Sequence, residues 1–171
     1  MERKDLITFK RNPLTLEGNE VRAGQKSPDF EVLDNDLKPV KLSSFKGKIC
    51  ILSSVPSLDT LVCDIATRKF NEKAAGLGKD TIILTISMDL PFAQKRWCGA
   101  AGIKNVLTLS DHRQASFGRA FGVLIKELRL LARAVFIVDK EGIVRYKQLV
   151  REITNEPDYD DVFNALNEIT G

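Results

Sequence analysis

The segment Pro56–Cys63 places a thiol where it could act as a nucleophile. An apolar run at Ile49–Val55, typical of a buried strand, precedes it, and a helical pattern at Cys63–Leu77 follows it. Cys63 is therefore predicted in the first turn of a helix, at the end of a core strand. Unpaired amides and the positive end of the helix dipole favour the thiolate there, and the thiolate is the reactive form of cysteine.

Thr60 and Arg133 are the candidate partners of this thiol. If Thr60 is the N-cap, Cys63 is the third helical residue. A helix terminus stabilises an anion by only about 0.3–1 kcal/mol, whereas full ionisation of a thiol that is ~3% ionised requires about 2 kcal/mol. Arg133 precedes an apolar strand, Ala134–Val138, which we expect beside the strand that leads to Pro56. Its guanidinium could supply the missing positive charge.

Ionisation alone would accelerate the reactions of Cys63 by at most about 30-fold, so other groups must hold the reaction partner. Thr60, Arg133 and the amide of Cys63 are placed to contact the two oxygens of a peroxide. Attack by the thiolate on one oxygen would leave a sulfenic acid, which a second thiol must capture before it oxidises further. Pro56 would close the loop over the sulfur and shield this intermediate from water.

Cys98 is the candidate for the second thiol. It falls in the next predicted helix, Pro91–Ala101, and would be partly exposed if Trp97 faces the core. Because the two cysteines belong to different helices, we expect them to lie beyond bonding distance until a helical turn unwinds. The third cysteine, Cys50, lies within an apolar strand and is predicted to be a core residue.

Short apolar runs alternate with helical patterns along the chain, which predicts an α/β fold with a central sheet in one domain over residues 1–171. A surface hairpin at Leu6–Phe9 and Leu14–Leu16 precedes the order β-α-β-α-β-α-β-β-α, a thioredoxin-like plan. The remaining predicted elements are strands at Asp29–Leu33, Val40–Leu42, Thr81–Ile86, Val106–Leu109 and Ile143–Leu149, and helices at Gln114–Phe121 and from Pro157 onward.

The composition argues against several functional classes. The 26 Lys and Arg residues are interleaved with 23 acids, unlike the footprint of a nucleic-acid-binding protein. No apolar segment approaches the ~20 residues that span a bilayer, and no secretory signal is visible, so the cytoplasm is the expected location. One histidine, His112, and three separated cysteines disfavour a metal site, and no cofactor is predicted.

The Pro, Thr and Cys of Pro56–Cys63 resemble the active-site pattern of the peroxiredoxins, and most closely that of the thiol peroxidases, the atypical two-cysteine peroxiredoxins of bacteria. The likeness covers nearly the whole chain. Its further segments are Asp64–Asn71, Asp89–Gln94, Arg96–Gly99, Ala132–Val135 and Glu152–Tyr159.

The resemblance implies a thioredoxin-like fold, a central mixed sheet flanked by helices, with an N-terminal β-hairpin extension. It implies that Cys63 is the peroxidatic cysteine and that Cys98 resolves it in an intrachain disulfide. Thr60 and Arg133 match the peroxide-activating positions and Pro56 the shielding proline. A homodimer is also implied, which reduces hydrogen peroxide and organic hydroperoxides with thioredoxin as the reductant.

Two other functions are compatible with a reactive cysteine at a helix start. A thiol–disulfide exchange protein would carry Cys-x-x-Cys, but Thr60 occupies the position three residues before Cys63. A redox-gated binding or chaperone module would use the same disulfide as a switch, and the sequence permits it as a secondary role.

Overall fold

The computed structural model describes residues 1–171 and contains eleven strands and four α-helices. The strands are β1 (Glu2–Phe9), β2 (Asn12–Glu17), β3 (Glu31–Leu33), β4 (Pro39–Lys41), β5 (Ile49–Ser54), β6 (Thr81–Ser87), β7 (Leu107–Ser110), β8 (Leu124–Ile125), β9 (Leu130–Leu131), β10 (Ala134–Val138) and β11 (Val144–Leu149). The helices are α1 (Leu61–Ala74), α2 (Pro91–Ala101), α3 (Ser116–Ala120) and α4 (Tyr159–Thr170), with a 3-10 turn at Leu42–Phe45.

The larger sheet has seven strands in the order β11-β10-β5-β6-β7-β3-β4. β5, β6 and β7 are parallel neighbours, and the other pairs are antiparallel. The mixed sheet that the sequence predicted is thus confirmed. β5 lies near its centre and is buried along its whole length, as expected for a strand that is covered on both faces.

Alternate residues of the larger sheet belong to two separate cores, because successive side chains of a strand point to opposite faces. In β10, Val135 and Ile137 pack with Phe70 of α1 and Val162 of α4. Ala134, Phe136 and Val138 belong instead to a larger cluster, which also contains Phe117 and Phe121 and extends to the N-terminal hairpin. Helices α1 and α4 therefore cover one face of the sheet, and the hairpin and α3 cover the other.

The predicted N-terminal hairpin is confirmed as β1 and β2, and it continues into a smaller sheet in the order β1-β2-β8-β9. Sequence analysis did not predict β8 and β9. Each has only two residues, too few to show a period-2 pattern, and the residues between them, 126–129, are exposed.

The helix ends follow local chemistry. α2 has the bounds predicted from the sequence, with Pro91 at its start and Gly102 in the left-handed conformation (φ 68°) at its end. The third helix begins at Ser116 rather than at Gln114, because Ala115 adopts a positive φ of 51° and Asp111 accepts hydrogen bonds from the amides of the first turn. No helix has both the length and the apolar character required to cross a membrane.

We predict that Phe121→Ala lowers the free energy of unfolding by about 3–5 kcal/mol, because the residual cavity adds to the lost burial. Phe121 is 1% exposed, and its ring lies 4.9 Å from those of Phe117 and Phe136, centroid to centroid. Urea unfolding measures the loss. The control is Leu128→Ala, which truncates an exposed apolar side chain. We expect it to change the free energy of unfolding by no more than about 0.5 kcal/mol. Equal losses in the two variants would contradict this account of the core.

Candidate active site

Cys63 lies in the first turn of α1, which follows β5 in the chain. β5 ends at Ser54, a loop follows, and α1 begins at Leu61 with Thr60 in extended conformation as its N-cap. The Thr60 hydroxyl oxygen accepts a hydrogen bond from the Cys63 amide at 3.3 Å, and its own proton is donated to the Ser57 carbonyl at 3.1 Å. Cys63 is thus the third helical residue, as the sequence predicted, and it is fully buried.

Arg133 reaches the sulfur from the adjacent strand. It directly precedes β10, and the first residue of β10, Ala134, pairs with Ser54 at the end of β5. The Nη2 atom of Arg133 lies 3.1 Å from the Cys63 sulfur, and the whole residue is only 2% exposed. The sequence prediction that these two strands are neighbours is confirmed, and it brings Arg133 and Cys63 together.

The guanidinium is oriented by a backbone carbonyl. Nε and Nη2 of Arg133 both donate to the Ile153 carbonyl, at 3.1 and 3.0 Å. Nη1 is buried without a hydrogen-bond partner. No carboxylate lies within ion-pair distance of Arg133. Since a buried cation is unfavourable unless it is paired, the sulfur at 3.1 Å is the group best placed to carry the compensating negative charge.

The N-terminal hairpin holds the segment that carries this carbonyl. The Thr8 amide donates to the Arg151 carbonyl at 2.7 Å, and the Ile153 amide donates to the Thr8 carbonyl at 3.0 Å. The Glu152 carboxylate accepts from the Arg11 amide at 2.9 Å and from the Thr8 hydroxyl at 3.0 Å. The hairpin thereby fixes the position of Ile153, and through it that of the guanidinium.

A second carboxylate, Asp89, fixes the loop that precedes α1. It accepts from the Ser57 hydroxyl at 2.7 Å, the Leu58 amide at 2.8 Å and the Ser87 hydroxyl at 2.7 Å. Asp89 follows β6 and stands two residues before α2, so one side chain connects the loop before Cys63 with the start of the Cys98 helix. Sequence analysis missed this role, although Ser87 and Asp89 follow a predicted parallel strand, at the edge where such strands bring polar side chains together.

Apolar side chains surround the sulfur. Val55, Leu58 and Cys63 form a small buried cluster, against which the half-buried Trp97 packs. Pro56 is buried in the loop between β5 and α1. Bulk water is therefore largely excluded from the sulfur in this conformation.

The structure does not bring Cys98 next to Cys63. All three cysteines are free, and the Cys98 sulfur hydrogen-bonds with the Thr108 hydroxyl of β7 at 3.2 Å. The Cys63 sulfur instead contacts Arg133, which precedes β10, and β5 and β6 separate β10 from β7. The separation expected from their positions on two helices is present in this conformation.

Cys50 belongs to the core, as the sequence predicted. It is 2% exposed, and burial raises the pKa of its thiol to about 11. Because the thiolate is the reactive form, Cys50 is poorly suited to nucleophilic chemistry in the folded protein.

Comparison with known proteins identifies the family. The family described as Redoxin matches residues 22–163. The chain is 58% identical to thiol peroxidases from Halalkalibacterium halodurans, over 93% of this chain and 95% of the relative, and from Bacillus subtilis, over 95% and 97%. This chain belongs to the thiol peroxidase family of the redoxins.

Solved structures agree with this family and confirm the thioredoxin-like peroxiredoxin fold. A peroxiredoxin-like protein from Aquifex aeolicus superposes with a TM-score of 0.90 at 45% identity, over 97% of this chain and 98% of that one. A thiol peroxidase from Chromobacterium violaceum shares the fold, with a TM-score of 0.84 at 21% identity over 95% of both chains.

We predict that Glu152→Gln destabilises the protein at neutral pH and that the difference from wild type narrows as the pH falls from about 4.5 toward 2. Hydrogen bonds from the Arg11 amide and from Thr154 and Thr8 lower the pKa of Glu152 from 4.5 to about 2. A lowered folded-state pKa gives stability that is present above the unfolded value and is lost as the carboxylate protonates.

Urea unfolding at a series of pH values measures this effect. The control variant is Glu168→Gln, which removes an exposed carboxylate on α4. A pH dependence that is the same in both variants would contradict the prediction.

Proposed function

We propose that this chain is a thiol-dependent peroxidase in which Cys63 reduces hydrogen peroxide and organic hydroperoxides. The proposal depends on one observation: a buried guanidinium lies 3.1 Å from a buried sulfur at a helix N-terminus. Membership of the thiol peroxidase family supports the same activity. The geometry also supports the roles that we propose for the individual residues.

In the first step the Cys63 thiolate attacks one oxygen of the hydroperoxide. A sulfur–oxygen bond forms, the oxygen–oxygen bond breaks, and its electron pair leaves on the second oxygen, which takes up a proton and departs as an alcohol or water. Arg133 has a buried N–H at Nη1 that is free to donate to an oxygen of the substrate. Donors directed at developing negative charge stabilise this transition state.

Thr60 and Pro56 complete the proposed site. The Thr60 hydroxyl donates its proton to Ser57 and accepts from the Cys63 amide, which leaves one lone pair to accept the O–H of the hydroperoxide. That hydrogen bond would hold the oxygen that carries the proton beside the sulfur, and this is the oxygen that the thiolate attacks to give the sulfenic acid. Pro56 would exclude water from the sulfenic acid.

In the second step the Cys98 thiol attacks the sulfenic acid on Cys63, a disulfide forms and water leaves. Because the two sulfurs face different strands, α1, α2 or both must unwind locally before the bond can close. An external dithiol then reduces the disulfide by exchange, and we propose thioredoxin as that reductant.

We also propose that the protein acts as a homodimer in the cytoplasm. Exposed apolar side chains on the first turns of α1 and α2 support the dimer: Leu61 is 75% exposed and Phe92 is 67% exposed. The redox-gated binding module that the sequence permits gains no support from the relatives, whose names describe peroxidases.

We expect Cys63→Ser to abolish peroxide consumption, because no other cysteine can replace the nucleophile. Cys98→Ser should complete one turnover and then stop cycling with thioredoxin, because the sulfenic acid lacks its partner. Peroxide consumption coupled to thioredoxin and its reductase measures both effects. Cys50→Ser is the matched control and should keep nearly full activity; activity retained in Cys63→Ser would refute the proposed nucleophile.

We expect Arg133→Lys to lower kcat/KM by about 100-fold or more, because lysine keeps the charge but its single nitrogen cannot replace the separate Nε, Nη1 and Nη2 donors of the planar guanidinium. Single-turnover oxidation of Cys63 by hydrogen peroxide isolates the affected step. Arg113→Lys, at an exposed arginine, is the control and should react like the wild type. If the two variants oxidise at the same rate, Arg133 does not activate the peroxide.

A further inference from the structure

The neighbours of the two cysteines are bonded to each other. Asp64 follows Cys63 in α1, and Trp97 precedes Cys98 in α2. The Trp97 Nε1–H donates to Oδ1 of Asp64 at 2.9 Å. One hydrogen bond between side chains therefore connects the turn that carries the first thiol with the turn that carries the second.

Arg68 strengthens this connection from the next turn of α1. Its Nε donates to Oδ2 of Asp64 at 2.8 Å, and its guanidinium lies 5.9 Å from the centre of the Trp97 ring. It also donates to the carbonyl of Ala101, at the end of α2, at 3.4 Å. Both oxygens of Asp64 are thus occupied, and every donor lies on or contacts α2.

The indole packs beside Cys63, whereas the Cys98 sulfur points elsewhere. Trp97 packs against the cluster that contains the Cys63 side chain, while the Cys98 sulfur is turned to Thr108 on β7. A disulfide requires Cα atoms about 4.4–6.8 Å apart. The residues next to the cysteines cannot keep their present contacts once the backbones approach that closely.

We propose that Asp64, Arg68 and Trp97 form a latch that holds α1 and α2 in the peroxide-reactive conformation, and that its opening sets the rate at which Cys98 reaches oxidised Cys63. These are positioning residues, which act through the two helices and not on the peroxide. The proposal rests on the proposed function, since it requires a Cys63–Cys98 disulfide.

The latch decides between two fates of the sulfenic acid. In one, the Cys98 thiol displaces water from it and the disulfide forms. In the other, a second hydroperoxide transfers an oxygen to it, which gives a sulfinic acid and an alcohol or water. A closed latch delays only the first reaction, so it increases over-oxidation at a given peroxide concentration. It also stabilises the dithiol relative to the disulfide, which raises the reduction potential of the pair.

Two variants open the latch in different ways. Trp97→Phe keeps an aromatic ring against Cys63 but removes the N–H donor. Asp64→Asn removes the charge that holds Arg68 and keeps Trp97, the only tryptophan of the chain, as a fluorescent reporter. Asp80→Asn is the matched control, because it removes a carboxylate that contacts Lys140 at 2.9 Å, near the opposite ends of the parallel strands.

After one equivalent of hydrogen peroxide, we expect disulfide formation to be about tenfold faster in both latch variants than in the wild type, as measured by quenched-flow thiol trapping. Tryptophan fluorescence should change at the same rate in Asp64→Asn. The peroxide concentration that gives half sulfinic acid should rise by a similar factor. A tenfold change in the thiol–disulfide equilibrium would lower the reduction potential by about 30 mV. The control should match the wild type in each measurement.

Disulfide rates and potentials equal to those of the wild type in both variants would overturn the latch, as would slower disulfide formation. Altered disulfide rates and potentials in Asp64→Asn but not in Trp97→Phe would also overturn the latch, because the lost charge beside Cys63 would then explain the change. Failure of the proposed function is a different result: peptide mapping of the oxidised wild type would find no Cys63–Cys98 disulfide.

Discussion

The contact between the Arg133 guanidinium and the Cys63 sulfur is the interaction on which the rest of the structure depends. A guanidinium that is 2% exposed and has no carboxylate partner requires a nearby anion, and the sulfur lies 3.1 Å from it. In the proposed thiolate form of Cys63, each charge offsets the cost of burying the other. The pairing of β5 with β10 brings the two residues together, and the N-terminal hairpin fixes the Ile153 carbonyl that orients the arginine.

Catalysis imposes a second and conflicting requirement on the same region. In the proposed cycle, peroxide reduction needs an intact first turn of α1, with Thr60 as its cap, whereas the proposed resolution by Cys98 needs that turn to open. Polar side chains connect the two helices near the site. Asp89 holds the loop before α1 from the α2 side, and Asp64 bridges the two helices through Trp97, so a few polar contacts join the elements that the proposed cycle would separate.

Sequence patterns predicted the parts of this arrangement that depend on local chemistry. The apolar run before Pro56 and the capping threonine were sufficient to place Cys63 at a helix start, and Pro91 and Gly102 delimited α2. Sequence patterns did not predict two-residue strands such as Leu124–Ile125, because these strands form only through pairing with the hairpin. The sequence did not predict the contacts of Asp89 and Glu152 for a related reason. Their partners lie in distant loops, which only the folded chain brings together.

The central claim is that Cys63 is an anion in the resting protein. The ultraviolet absorbance of thiolate, measured at neutral pH as the difference between wild type and Cys63→Ser, tests it most directly. We predict a difference that corresponds to one thiolate per chain and that is lost in Arg133→Gln. A wild type whose thiolate absorbance equals that of Cys63→Ser would contradict the account, because the buried guanidinium would then lack its counter-ion.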